Sequence, residues 1–254
     1  MLKISVITVA YNSAATIRDT IQSFLDQGHP AKELIIVDGA SKDDTLAIAQ
    51  SFASLDIRIV SERDKGPFDA MNKGLARYTG DAVGVLNSDD TFHDTQALAR
   101  IAAALEDADI AYGDIDMVHD HESKTVVRKW RAGAFRKSLL HWGWMPPHPS
   151  LYVRRAVIDR IGGFDVSYKL AADYDLALRA MSRDDFRIRY IPEVLADFQL
   201  GGLSSRTPMS TIKANLECLR ARRSVLGAPP IDLALFVRPL LKLRELRRVD
   251  YYKT

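Results

Sequence analysis

Four short apolar runs punctuate the first hundred residues: Ile4–Val9, Leu34–Val37, Ile57–Val60 and Ala82–Leu86. Between them apolar side chains recur at helical spacing. The first such stretch holds Thr16, Ile17, Ile21, Phe24 and Leu25; the second Leu46, Ile48, Ala49 and Phe52; the third Ala70, Met71, Leu75 and Tyr78. Strand–helix alternation with short links admits little except a parallel sheet wound by right-handed crossovers. A further helix, Leu98–Leu105, and a strand, Ile110–Tyr112, extend the pattern. The expected fold class is therefore α/β.

Beyond Tyr112 the rhythm loosens. Residues 114–131 are polar and β-leaning, which suits a hairpin or a mixed-sheet element, and the breaker-rich stretch Trp142–Pro149 must be a loop. A strand (Leu151–Val153), a helix (Ala156–Ile161), a stop at Gly162-Gly163 and a helix from Asp173 to Met181 follow. Two short strands, Arg187–Ile191 and Val194–Phe198, lead to a turn at Gly201-Gly202. The tail offers two helices, 208–226 and 231–248, parted by Gly227-Ala-Pro-Pro230. At 254 residues, 47% apolar and 27% charged, the chain is one large domain or a domain with an appendage.

A single cysteine, Cys218, excludes an internal disulfide framework and fits a reducing, cytoplasmic setting. The opening run Ile4–Ala10 is too short to span a membrane. The net charge of +2 is unevenly spread. From Lys213 onward ten basic residues face four acidic ones, a balance of +6, so the remainder carries −4. A basic, leucine-rich tail fits either an anionic membrane face, where lipid-linked acceptors sit, or packing on the domain or a second subunit as a homodimer. Nucleic acid is disfavoured, because the tail lacks the interleaved aromatics of a stacking platform.

Every early strand ends on polar residues: Tyr11-Asn12, then Asp38-Gly-Ala-Ser-Lys-Asp43, then Ser61-Glu-Arg-Asp64-Lys-Gly66, then Ser88-Asp89-Asp90. Doubly wound topology brings strand ends to one edge, where open α/β sheets bind nucleotides. Each loop also has a plainer explanation: Asp38-Gly39 as a turn, Ser41, Asp43, Asp90 or Asp94 as helix caps. Adjacent Asp89 and Asp90 need a cation or hydrogen-bond donors nearby, and hard oxygen ligands suit Mg²⁺ or Mn²⁺. No Gly-x-Gly-x-x-Gly follows the first strand and no P-loop occurs, which disfavours dinucleotide enzymes and P-loop NTPases.

Six motifs occur in one order: Ser5-Val-Ile-Thr-Val-Ala-Tyr11-Asn12, Val37-Asp38-Gly-Ala-Ser41-Lys-Asp43, Asp69-Ala-Met-Asn72-Lys73-Gly74, Leu86-Asn-Ser-Asp89-Asp90, Ile161-Gly-Gly-Phe164-Asp165 and Asp173-Tyr174-Asp175-Leu-Ala-Leu-Arg179. Together they resemble the family 2 glycosyltransferases with a GT-A fold, over roughly residues 3–204. The stretch Glu62-Arg-Asp64-Lys-Gly66 resembles bacterial enzymes that build O-antigen, exopolysaccharide or glycolipid sugars. The resemblance implies a GT-A domain over 1–204, with a nucleotide-sugar half (1–112), an acceptor half (113–204) and a basic helical tail (205–254). It implies Val9 and Tyr11 at the base, Asp38 accepting the uracil N–H, Asp64 bordering the uridine, and Asn72 and Lys73 lining the donor side. Asp89 and Asp90 match an Asp-x-Asp-like motif, with Asp90 the expected metal ligand and Asp89 on the donor. Asp173 matches the general base, although Ala172 stands where the family often has Glu.

Chemistry of that kind needs a cation to neutralise the leaving diphosphate and a carboxylate to deprotonate the incoming hydroxyl. One base opposite the leaving group implies inversion at the anomeric carbon. From the local sequence alone Asp173 reads first as an N-cap, and the resemblance reverses that order. Trp142, Trp144 and His148 are candidates for an acceptor platform, the alternative being a core-anchoring loop. His119 and His121 lack further zinc ligands and read as surface residues. The rival to a transferase is a non-catalytic nucleotide-sugar-binding or scaffold protein.

Overall fold

The computed structural model describes residues 1–120, 125–200, 208–229 and 232. Its first half alternates strictly: β1 (Ile4–Ala10), α1 (Ile17–Leu25), β2 (Lys32–Asp38), α2 (Thr45–Ser51), β3 (Ile57–Ser61), α3 (Pro67–Leu75) and β4 (Ala82–Val85). Then come β5 (Asp90–Phe92), α4 (Ala97–Ala104), β6 (Ile110–Val118), β7 (Val126–Trp130), the one-turn α5 (Ser138–His141) and a 3₁₀ turn (His148–Ser150). The order closes with β8 (Tyr152–Arg154), α6 (Arg155–Ile161), α7 (Ala172–Met181), β9 (Ile188–Gln199) and α8 (Pro208–Leu226).

One sheet runs β3-β2-β1-β4-β8-β6-β9-β5, with β7 paired to β6. The strands β3, β2, β1 and β4 are parallel neighbours, and β6 pairs β9 in parallel. β8 joins β4 to β6 by antiparallel pairing, and β5 and β7 are antiparallel to their partners, so the sheet is mixed in its second half. Both faces of β1 and β2 are covered, which is why these strands read as unbroken apolar runs. Ile7, Val9, Ile35 and Val37 lie on the face covered by α3, in one core with buried residues of α7 and α8, while Ile4, Val6, Leu34 and Ile36 share a second core with α1 and α4. Burying each such side chain contributes about 1.5–3 kcal/mol. Two buried polar groups lock the frame. Thr8 Oγ1 donates to the Leu86 carbonyl at 2.7 Å, tying β1 to the end of β4. Glu33 accepts from Ser5 and Lys3 and from Thr79 and Gly80 in the turn before β4.

The hairpin expected within 114–131 forms as the β6–β7 pair, and α8 spans the predicted range. Three elements differ from expectation. β6 continues to Val118, well past Tyr112. The two strands predicted around Pro192-Glu193 are one, β9, and slips in its register against β6 between Tyr112 and Ile115 absorb the interruption. β5 was not legible: three residues beginning at Asp90 pair with Ala196–Phe198. α8 packs on α7 and buries Cys218 and Ala221 in the same core as β1 and β2. The second tail helix expected over 231–248 and the Gly201-Gly202 turn lie outside the described residues, Asp232 apart. Among the described residues no helix is long and apolar enough to cross a membrane.

Candidate functional site

The strand order reverses direction of growth at β1, with β2 and β3 on one side and β4 on the other, and open sheets bind ligands at such a point. The loops leaving β1, β2 and β4 are sewn together there. The Asn12 N–H donates to Ser41 Oγ at 2.9 Å, and Asn12 Oδ1 accepts from the Lys42 N–H at 2.9 Å. Ser13 N–H donates to Thr45 Oγ1 at 2.7 Å, and Ser88 Oγ donates to Ser13 Oγ at 2.9 Å. Asn12 and Ala40 hold left-handed backbone (φ 51° and 60°), a costly conformation that clusters at ligand sites.

Asp38 closes β2 at 1% exposure, accepting from Ser61 Oγ at 2.6 Å and from the backbone and hydroxyl of Ser41. Ser41 and Ser61 thus orient this carboxylate, a function that their positions in the loops did not announce. Gly39 shows how close its neighbours come: a Cβ there would stand 2.4 Å from Asp64 Oδ2 and 3.4 Å from Tyr11 Cδ2. Tyr11 is 57% exposed, Val9 of β1 is buried in the core, and Asp64 accepts from the Gly66 N–H at 2.8 Å. Tyr11 and Asp64 therefore meet at the glycine that follows Asp38.

Asn72 and Lys73 on α3 are engaged with the protein. Asn72 donates to the Phe164 carbonyl and accepts from the Phe164 N–H, both at 2.8 Å. Gly163 permits this approach, since a Cβ there would meet Asn72 Oδ1 at 2.4 Å. Lys73 Nζ donates to the Arg63 carbonyl at 2.5 Å and lies 3.6 and 3.8 Å from Glu62 and Asp69.

Adjacent residues at the end of β4 part company. Asp89 is half-buried, whereas Asp90 is fully enclosed as the first residue of β5. Asp90 accepts from Asn87 Nδ2 at 3.0 Å and from the Gln199 N–H at 3.3 Å. Burial, with Asp89 next to it, holds the Asp90 carboxyl well above the usual range and favours its neutral form. Among the described residues no group of three or more His, Cys, Asp or Glu side chains is placed to hold a metal.

Asp173 lies in the first turn of α7, half-buried, and the helix starts at Ala172 without a side-chain cap of its own. Its charge is felt by His148, whose two ring nitrogens are shut off from solvent with no hydrogen-bond partner among the described residues. Burial lowers the His148 pKa and Asp173 opposes that shift. His148 also meets Phe164 edge-on at 6.0 Å and shares a small apolar pocket with Gly84 and Val85 of β4. Asp173, His148 and the strand leading to Asp89 thus form one neighbourhood. Trp142 is 46% exposed. Trp144 is committed to packing: its Nε1–H donates to the Ala132 carbonyl at 3.2 Å and its ring lies against Tyr112 and Phe135. His119 is exposed beside Asp120, and His121 lies outside the described residues.

A groove of about 560 Å³ between α1 and the β5–α4 link includes none of these residues. Much of its polar lining is engaged within the protein, His93 by Asp197, Asp94 by Arg100, and Gln27 by backbone groups.

The sequence profile described as "Glycosyl transferase family 2" matches residues 5–164. The chain is 34% identical over 223 residues to the PGL/p-HBAD biosynthesis glycosyltransferase Rv2957 of Mycobacterium tuberculosis, covering 82% of this chain and 84% of that relative. Among solved structures it is similar to S. aureus TarS 1-349 in complex with UDP-GlcNAc (TM-score 0.68, 19% identity, 88% of this chain and 67% of that one). It is also similar to the mannosyltransferase PcManGT of Pyrobaculum calidifontis in complex with GDP-Man and Mn²⁺ (TM-score 0.65, 18% identity, 98% of this chain and 70% of that one). Motif order, mixed sheet and profile agree, and the chain belongs to glycosyl transferase family 2 as a glycosyltransferase of GT-A fold.

Proposed function

We propose that the chain is an inverting, divalent-metal-dependent transferase that moves a sugar from a UDP donor to a hydroxyl of a saccharide or lipid-linked acceptor. The product belongs to cell-surface polysaccharide or glycolipid biosynthesis, and the enzyme works in the cytoplasm or at the inner membrane face. One observation carries this reading: His148, in the 3₁₀ turn, lines an apolar pocket with Gly84 and Val85 of β4, whose end leads into Asp89, and the charge of Asp173 bears on the same His148. That neighbourhood joins a carboxylate suited to deprotonate an alcohol with one suited to a cation. The naming of UDP-GlcNAc in a structural neighbour supports the nucleotide class.

Tyr11 stacks on the base above Val9, Asp38 accepts its N–H with lone pairs left over from Ser41 and Ser61, and Asp64 takes ribose hydroxyls. Asn72 and Lys73 act by holding the loops they bond. Mg²⁺ and Mn²⁺ are typically held by one or two carboxylates and completed by substrate phosphates, and the Asp89-Asp90 pair fits that donor set. We assign the ligand oxygen to Asp89, since Asp90 is fully enclosed; Asp90 then anchors the turn through Asn87 and Gln199. The cation supplies charge neutralisation of the departing diphosphate. Asp173 receives the proton as the acceptor oxygen attacks, with Trp142 and His148 bordering the acceptor. Release of UDP from UDP-glucose with Mn²⁺ tests these roles. Asp89→Asn is expected to remove the Mn²⁺ dependence of UDP binding. Asp173→Asn is expected to lower kcat about 10²–10⁴-fold with UDP affinity unchanged. Wild-type turnover in both variants refutes the assignment.

A further inference from the structure

The turn that carries Asp173 is uncapped by its own helix. Ala171 occupies the N-cap position, and no side chain of α7 reaches back to its first amides. A different helix holds the residues that lead into it. Glu217 of α8 accepts the Lys169 N–H on both carboxylate oxygens at 3.0 Å, the Leu170 N–H at 2.8 Å and the Ala171 N–H at 3.0 Å. Three successive N–H groups, of which Ala171 is the N-cap and the other two lead into the helix, converge on one carboxylate in charge-assisted hydrogen bonds, and the helix dipole also favours an anion at this end. Three residues along the same face, Arg220 lies 4.0 Å over the Tyr168 ring and donates to Ser167 Oγ. Cys218 and Ala221, turned toward α7, are buried in the core. The segment 167–171 is thus gripped by α8 immediately before the residue assigned as base.

Other anchors hold α7 from its far side. Arg179 bonds Asp175 at 2.7 Å and reaches the carbonyls of Ile161 and Gly163. These bonds set where the helix lies. They leave the entry to its first turn to other contacts: the amides of residues 169–171, which lead into α7, bond Glu217 instead. A loosened first turn moves the Asp173 carboxylate by an ångström or more, and general-base transfer depends on hydrogen-bond reach to the attacking oxygen.

We propose that Glu217 is a positioning residue for Asp173: a helix beyond the family-matched segment 5–164 winds and orients the turn that presents the base. This inference rests on the reading of Asp173 as base. The test uses the full chain, with Glu217→Ala and Glu217→Gln, and has two arms. The first is backbone hydrogen exchange, which needs no sugar. Glu217→Ala is expected to speed exchange about tenfold or more in peptides covering 168–176, and to leave β1–β4 peptides unchanged. The second arm is UDP release from UDP-glucose with Mn²⁺. Glu217→Ala is expected to lower kcat about tenfold or more, with KM for UDP-glucose and Kd for UDP within about twofold of wild type. Glu217→Gln keeps a carbonyl oxygen for the three amides and is expected to restore kcat to within about threefold of wild type. Unchanged exchange in Glu217→Ala overturns the proposal, as does faster exchange that spreads through β1–β4 together with lost UDP affinity. Wild-type turnover in Asp173→Asn refutes the base assignment instead, while the exchange arm still decides whether Glu217 holds the turn.

Discussion

Glu33 offers a stability prediction whose size follows from its surroundings. It lies at the opposite end of the parallel strands from the crevice, where Ser5 Oγ donates to it at 2.6 Å, Thr79 N–H at 2.5 Å, Thr79 Oγ1 at 2.7 Å, Gly80 N–H at 3.1 Å and Lys3 Nζ at 3.1 Å. Burial alone raises a carboxyl pKa, but the bonds from Ser5, Thr79 and Lys3 outweigh it and pull Glu33 from 4.5 to about 2. Taken whole, that fall corresponds to about 3.4 kcal/mol. Solvent reaches the Lys3 side of the cluster, where the lysine is 40% exposed, so about 2 kcal/mol is the expected share. Glu33→Gln keeps one oxygen for Ser5, Thr79 N–H and Gly80, and turns an NH₂ group toward Lys3. It should therefore destabilise by about 2 kcal/mol at pH 7, a shift of about 0.7 M in the urea midpoint at a slope near 3 kcal/mol/M. The sign with pH is fixed by the depressed pKa. The contribution is complete above about pH 4.5 and fades as pH falls toward about 2, so the gap between wild type and Glu33→Gln should shrink to less than half at pH 3. Urea unfolding followed by circular dichroism at both pH values measures it. A gap below about 0.5 kcal/mol at pH 7, or one of equal size at pH 3, refutes the reasoning.

Further expectations concern the crevice and the join between halves. Gly39→Ala places a methyl where Asp64 Oδ2 now lies, and Gly39 needs no left-handed backbone, so only the crevice should suffer: UDP affinity is expected to fall about tenfold while Tm moves by less than about 3 °C, read by calorimetric titration and thermal unfolding. Asn72→Ala removes both bonds to Phe164 and should lower stability by about 2 kcal/mol, a Tm fall of about 4–8 °C. Asn72→Asp, which keeps an acceptor for the Phe164 N–H but sets a carboxylate against its carbonyl, should be at least as damaging in the same thermal scan.

The parallel half of the fold was legible because β1 and β2, covered on both faces, could afford no polar interruption. β5 was not, because a three-residue strand has no periodicity and exists only through its pairing with β9. β9 was divided at Pro192-Glu193 because local rules see a proline as a break, whereas the long strand absorbs it in a register slip. Within the site, topology announced which strand ends would converge, and Tyr11, Asp38 and Asp64 do meet around Gly39. The difference between Asp89 and Asp90 was invisible, since Asp89 sits in the turn closed by the Asp90 N–H on the Asn87 carbonyl while Asp90 opens β5, and only the finished sheet shows which of the two is interior. Trp144 likewise carries the same letters whether it faces a sugar or Tyr112. Glu217 was beyond reach for a related reason: its partners are backbone amides 46 to 48 residues earlier, and amides leave no trace in composition.

The paired bonds between Asn72 and Phe164 bridge 92 residues and tie α3 to the chain just after α6, so the segments on either side of that tie are not freely interchangeable parts. Chimeras that graft a relative's chain from β8 onward onto this first stretch should succeed only when the crossover preserves both sides of that seam. Loops such as 142–147, which carry no strand pairing, can vary without disturbing it.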